Sequence, residues 1–215
     1  MSPLQVGVAS VDFTPEPGLP LMGNFRSDYA ARGVHDPLRA RALVLAGKPS
    51  ERAAVLALDI CMLDRQNVAF LREVIAAECD LPPENVLIHA THTHSAPAPS
   101  GMLGMEAEVA PYAAAIERFL RKAATAVVQA SRRMEEAAAL EIGSVTAPRV
   151  SFNRRLRRRD GATRMNWEAL QPGFDPAEIL SPWGPVDEEL VCLAARFERR
   201  TAALVNFGLH PAILA

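Results

Sequence analysis

Cysteine is scarce, with only Cys61, Cys79 and Cys192 among 215 residues. They are odd in number and widely spaced, lie beside apolar neighbours and form no Cys-x-x-Cys pair, which excludes a disulfide framework and predicts buried free thiols. A charge excess is also missing: 23 Lys and Arg stand against 25 Asp and Glu, for a formal net charge of −2. That balance removes the broad basic field of a nucleic-acid binder. Long apolar runs are absent too, since stretches such as residues 53–58 fall far short of the roughly 20 residues that span a bilayer. The start, Met1-Ser2-Pro3-Leu4-Gln5, has neither a positive n-region nor an apolar h-region, so no transmembrane segment and a cytoplasmic address are expected. No Gly-x-Gly-x-x-Gly, phosphate loop or nucleophile elbow occurs, which disfavours dinucleotide, NTPase and serine-hydrolase chemistry.

What remains is 49% hydrophobic and 22% charged, the composition of a globular chain with a sizeable core. Residues 4–13, 38–46 and 53–60 read as strands, the last two joined by the turn cluster Gly47-Lys48-Pro49-Ser50 and apolar enough to predict cover on both faces. Asp64 caps a helix expected over 65–79, with Phe70, Leu71, Val74 and Ile75 on one side, and Leu81-Pro82-Pro83 stops it. A strand is expected at 86–92. Ile116, Phe119, Leu120, Ala123, Val127 and Val128 keep a helical period from Pro111 to about Met134. Strand character returns at 138–145, 190–197 and 202–209. The expected fold class is α/β, a mixed β-sheet flanked by helices, with a zinc-hydrolase-like site at strand ends. The Pro- and Gly-rich segment 153–185 carries little periodicity and reads as a lid.

The sharpest chemical signal is His89-Ala90-Thr91-His92-Thr93-His94-Ser95-Ala96-Pro97, which holds three of the five histidines. On a strand, His92 and His94 project to one face and His89 to the other. A His-x-His pair at a strand end suits Zn2+ held by neutral imidazoles; the bland alternative is histidines satisfied near the core. His210, after Phe207-Gly208-Leu209, is by itself more often structural, yet two strand-end histidine sites in one α/β sheet converge on its carboxyl edge. His35 lies at a loop-to-strand junction, as a substrate contact or a turn residue. Arg154, Arg155, Arg157, Arg158 and Arg159 read as a solvated loop rather than a nucleic-acid site, with Arg154 able to stabilise an oxyanion or bind an anion. Asp12 and Asp59 are candidate carboxylates for which turn and cap duties are at least as probable a use.

These segments together resemble the N-terminal catalytic domain of the neutral/alkaline non-lysosomal ceramidase family. The resemblance rests on Gly7-Val8-Ala9-Ser10-Val11-Asp12-Phe13-Thr14-Pro15, Leu21-Met22-Gly23, Gly33-Val34-His35, Arg41-Ala42, Thr91-His92-Thr93-His94-Ser95, Asn153-Arg154, Val186-Asp187 and Phe207-Gly208-Leu209-His210-Pro211. It implies a zinc-dependent amidohydrolase of lipid metabolism that cleaves an N-acyl or related bond with a zinc-activated water. The substrate would be a small-molecule amide or lipid-like compound, without a nucleic-acid partner. His92 and His210 would be zinc ligands and His94 and Arg154 catalytic groups, while Gly23 and His35 would bind substrate. The family completes its zinc shell with a Glu and a Tyr further along the chain. Residues 1–215 are therefore expected to be the N-terminal part of one ceramidase-like catalytic domain, truncated at its C-terminus. The alternative is a non-catalytic metal-binding or sensory module of the same fold.

Overall fold

The computed structural model describes residues 4–23, 30–47, 51–101 and 104–210. The chain divides into two compact units, the first formed by residues up to 140 together with 195–202, the second by 141–194 and 203–210.

The first unit is built on a five-stranded sheet in which β1 (Gln5–Asp12), β2 (Arg39–Ala46), β3 (Arg52–Leu58), β4 (Val86–Ala90) and β5 (Glu135–Glu136) take the order β4-β3-β2-β1-β5. The β1–β2 and β2–β3 pairs are antiparallel and β3–β4 is parallel, so the sheet is mixed, as expected. A parallel pair needs a crossover, and α1 (Arg65–Glu78) supplies it. The predicted cap is present: the Asp64 carboxylate accepts from the Asn67 amide at 2.7 Å, and the Asn67 side-chain oxygen accepts from the Asp64 amide at 3.4 Å. The helix expected to run from Pro111 is divided. A short α2 (Glu106–Val109) and a 3-10 turn, Ala110–Tyr112, precede α3 (Ala113–Arg132), and Pro111 occupies the turn, where its missing N–H costs no helical hydrogen bond.

Alternation along β2 and β3 turns Ala40, Ala42, Val44, Ala54, Leu56 and Leu58 inward, where they meet Leu71 and Ile75 of α1 and the apolar face of α3. Phe13 stacks on Phe119 with ring centroids 4.7 Å apart. Gly7 in β1 allows α3 to approach closely, because a Cβ there would collide with the Ala130 carbonyl. The expected cover on both faces is met along β2, where Leu43 and Leu45, opposite the helices, pack with Leu4, Val6, Val8, Ala137, Ala195 and Phe197 in a second, smaller cluster, whereas Leu87 on β4 is 61% exposed. The helices pack on one side of the sheet only, and strand apolarity alone does not reveal which residues lack a covering layer.

Most of the second unit is strand. β6 (Ala139–Thr146), β10 (Glu189–Arg196) and β11 (Thr201–Phe207) form a sheet in the order β11-β10-β6, with ends of all three counted in the first unit. β7 (Arg155–Arg158), β8 (Thr163–Met165) and β9 (Ile179–Pro182) form another in the order β8-β7-β9. The predicted structureless lid over 153–185 is thus a small sheet with 3-10 turns at Asn166–Leu170 and Pro176–Glu178. Its strands have only three or four residues, too few for an alternating pattern to stand out. Of the arginine run, Arg155, Arg157 and Arg158 likewise lie on strand β7 rather than in a loop. Among the described residues no helix is long and apolar enough to cross a membrane.

Candidate metal centre

Parallel pairing of β3 and β4 brings the segments that follow them side by side. Thr91 N–H donates to the Leu58 carbonyl and His92 N–H to the Ile60 carbonyl, both at 2.9 Å. This lays the histidine motif along residues 58–61. The strand itself ends at Ala90, two residues earlier than expected, and His92 has a left-handed backbone with φ of 66°. The facing of His92 and His94 therefore comes from a turn, not from strand alternation.

His92 is held from behind. Its Nδ1 lies 2.7 Å from the Cys61 carbonyl oxygen, so Nδ1 carries the proton and donates, and the lone pair is left on Nε2. That Nε2 faces the His94 Nε2 at 3.5 Å, and the rings meet edge to face at 85° with centroids 5.0 Å apart. At that separation an ion held by the His92 Nε2 at about 2.0–2.1 Å would have the His94 Nε2 beside it. The Cys61 thiol, His92 and His94 have donor atoms all within 4.8 Å of one another, the one such group of three among the described residues. The thiol, however, lies 3.6 Å from Nδ1, the nitrogen already occupied by the carbonyl, and burial raises its pKa, which keeps the sulfur protonated. The two Nε2 atoms are the better opening. Cys61 was legible only as a buried thiol. Its part in orienting His92 comes through a backbone carbonyl, an atom every residue has.

A strap places Gly23 against His94. Met22 N–H donates to Ala96 O at 3.1 Å, Ala98 N–H donates to Pro20 O at 2.7 Å, and Leu21 bridges Pro97. Met22, Ala96 and Ala98 are fully buried. Gly23 follows with φ of 104°, and a Cβ on it would stand 2.6 Å from the His94 ring. Only glycine combines that backbone with that approach. The structure thus brings Gly23, His92 and His94 together.

His35 is placed differently. Its Nδ1 pairs with Asp36 Oδ2 at 2.9 Å, and both side chains are largely exposed. It lines a cavity of about 690 Å³ whose wall includes Thr14 as well as Thr91, Thr93 and Ser95, the last three alternating with His92 and His94; neither of those two imidazoles lines it. Asp12 and Asp59 have structural duties. Asp12 Oδ1 accepts from the Thr14 amide and hydroxyl, which lowers its pKa, and Asp59 accepts from the Arg39 amide and pairs with the Arg41 guanidinium at 3.0 Å. Arg154 and His210 belong to the second unit. Arg154 is half-buried and its guanidinium sits 5.5 Å over the Trp167 ring, while His210 is half-buried three residues beyond β11.

This fold matches that of solved ceramidases. A ceramidase complexed with C2 superposes with a TM-score of 0.68 at 21% identity, covering 98% of this chain and 32% of that one. A neutral ceramidase from Pseudomonas aeruginosa gives 0.66 at the same identity and coverage. The family description "Neutral/alkaline non-lysosomal ceramidase, N-terminal" matches residues 4–210, and the chain belongs to that family. Neutral ceramidase 2 of Arabidopsis thaliana is 37% identical over 95 residues, which is 43% of this chain and 12% of that protein. The Oryza sativa subsp. japonica neutral ceramidase is 33% identical over 99 residues, 45% of this chain and 13% of the relative. The chain thus matches only a small part of these relatives' length.

Proposed function

We propose that the protein is a zinc-dependent hydrolase of an N-acyl amide or closely related bond, acting on a ceramide-like small molecule. The observation that carries this reading is the pair of Nε2 atoms at 3.5 Å, with His92 fixed by the Cys61 carbonyl. The relatives' names as neutral ceramidases support the substrate class. His92 would hold the metal through Nε2, and the family resemblance adds His210. Bound zinc would supply Lewis acidity toward the scissile carbonyl and lower the pKa of water. His94, beside His92 and braced by Gly23, would take up and return protons at Nε2. The Arg154 guanidinium would offset negative charge developing on the carbonyl oxygen, and His35 and the Gly23 backbone would orient the substrate.

Elemental analysis of the purified protein, combined with fatty-acid release from a short-chain N-acyl sphingoid amide, tests this. Stoichiometric zinc, chelator-sensitive release, and loss of both in His92→Ala are expected. Full zinc content in His92→Ala removes that residue from the ligand set. A second reading, a metal-binding module without turnover, is favoured by the fact that the His92 and His94 Nε2 atoms already face each other within the first unit alone. Zinc binding without chelator-sensitive hydrolysis of any amide tried would establish it.

A further inference from the structure

His92 is not a relaxed residue. A non-glycine residue at φ of 66° occupies a sparsely populated backbone region and persists there only where its surroundings over-determine it. The segment at the end of β3 does so. Thr91 N–H donates to the Leu58 carbonyl, His92 N–H to the Ile60 carbonyl and the His92 ring to the Cys61 carbonyl, so residues 58, 60 and 61 each grip the histidine turn through a backbone oxygen. Residue 59 contributes its side chain: Asp59 Oδ1 accepts from the Thr91 hydroxyl at 3.4 Å. This contact is the longest of the set, but its acceptor is ionised and cannot drift. Ala40 of β2 faces Leu58 of β3, which brings Arg39 and Arg41 beside Asp59. Asp59 Oδ2 accepts from the Arg39 amide at 2.9 Å and from the Arg41 guanidinium at 3.0 Å, and the Asp59 amide donates back to the Arg39 carbonyl at 3.2 Å.

We propose that Asp59 is a positioning residue for the candidate metal centre: it carries the rigidity of the β2–β3 pair through the Thr91 hydroxyl to the left-handed turn at His92, and so keeps the His92 Nε2 toward His94. Asp59 lies outside the group of donor atoms gathered around His92, and its charge is already matched by Arg41, so it acts through Thr91 rather than as a ligand. Groups that orient a metal-bound histidine from behind commonly matter to the metal nearly as much as the ligand does. The consequence for zinc and turnover rests on the hydrolase reading above; the hold on the turn does not, and it is read without either.

The test is amide hydrogen exchange and imidazole NMR on the full chain, with and without zinc, for the parent, Asp59→Ala, Thr91→Val and Thr91→Ser. Thr91→Val removes the hydroxyl at nearly equal volume and leaves the contacts of Asp59 with β2 intact. The His92 amide should exchange about tenfold faster in Thr91→Val and Asp59→Ala, the low end for losing a hydrogen bond to a charged group, relative to the Val127 amide of α3 as the report on global stability. The His92 ring resonances should move with it, and Thr91→Ser should restore the parent values. The double variant should be no worse than Asp59→Ala, because both changes act along one path. Zinc affinity by chelator competition should fall by about tenfold in the same two variants. An unmoved His92 amide and ring in Thr91→Val overturns the proposal, and that variant decides alone if Asp59→Ala does not fold. Equal loss of protection at His92 and Val127 overturns it as well, since it reduces Asp59 to a general stabiliser of the fold. Slower hydrolysis by Asp59→Ala with His92 unmoved also overturns it, and makes Asp59 a substrate contact in the cavity it lines. If the parent binds no zinc, the hydrolase reading fails, and the exchange result still decides the positioning claim.

Discussion

Gly23→Ala probes how His94 is held. At φ of 104° an alanine enters a sparsely populated backbone region at a cost of about 1–3 kcal/mol. Its Cβ would stand 2.6 Å from Cγ, 2.8 Å from Nδ1 and 2.9 Å from Cδ2 of the His94 imidazole. Carbon atoms pack at roughly 3.5–4.0 Å, so the ring must retreat by about 1 Å. The two Nε2 atoms start 3.5 Å apart. Such a displacement takes His94 out of its place beside the His92 Nε2, and a misplacement of about 1 Å can cost on the order of 10²-fold in rate. Urea denaturation, the ring resonances of His94, zinc affinity by chelator competition and the rate of hydrolysis are the measurements. Lower stability, shifted His94 resonances and slower hydrolysis at little-changed zinc affinity are expected, while His92 keeps its hydrogen bond to Cys61. An alanine variant as stable as the parent, with His94 resonances unmoved, refutes the bracing argument.

Leu56→Ala empties a fully buried site between sheet and helices and should cost about 2–5 kcal/mol in urea denaturation; a loss below 1 would show that the core collapses around the gap. Asp64→Ala removes the cap of α1 and should cost about 1 kcal/mol, with Asp64→Asn nearer the parent. Equal stability of all three proteins would discount the cap. Desolvation holds the Cys79 thiol above its ordinary value of 9.0. The unfolded chain ionises first, so the contribution of the neutral thiol is intact below about 9 and lost as pH rises through the folded value. The stability gap between the parent and Cys79→Ser should narrow in urea midpoints taken above that pH, and a constant gap contradicts the burial argument.

Much of the scaffold follows from local pattern. The β2–β3 pair shows as two apolar runs around a turn cluster, α1 as a capped amphipathic segment, and α3 as a long run at helical period. Each signal depends on residues a few positions apart, which is why boundaries came within two or three residues. The small sheet of the second unit escaped for the converse reason. Leu156 meets Pro182 across 25 intervening residues, and neither flanking run is long enough to declare a strand. The meeting of His92 and His94 was legible from residue type and spacing, whereas strand alternation was the wrong geometric reason for it. The chain leaves the strand at Ala90, and a left-handed His92 turns its ring toward His94.

Composition, capping residues, periodicity and the clustering of three histidines were properties of the sequence by itself, because each is set by covalent neighbours or by one helical turn. Which nitrogen of His92 meets a carbonyl and which faces His94, and what braces His94, were decided only by the fold. The Cys61 carbonyl reaches His92 because β3 and β4 run parallel, and Gly23 reaches His94 because residues 20–22 are hydrogen-bonded to 96–98. A backbone carbonyl and a missing Cβ leave no mark in residue type. They become chemistry only when distant segments are packed to within a few ångströms.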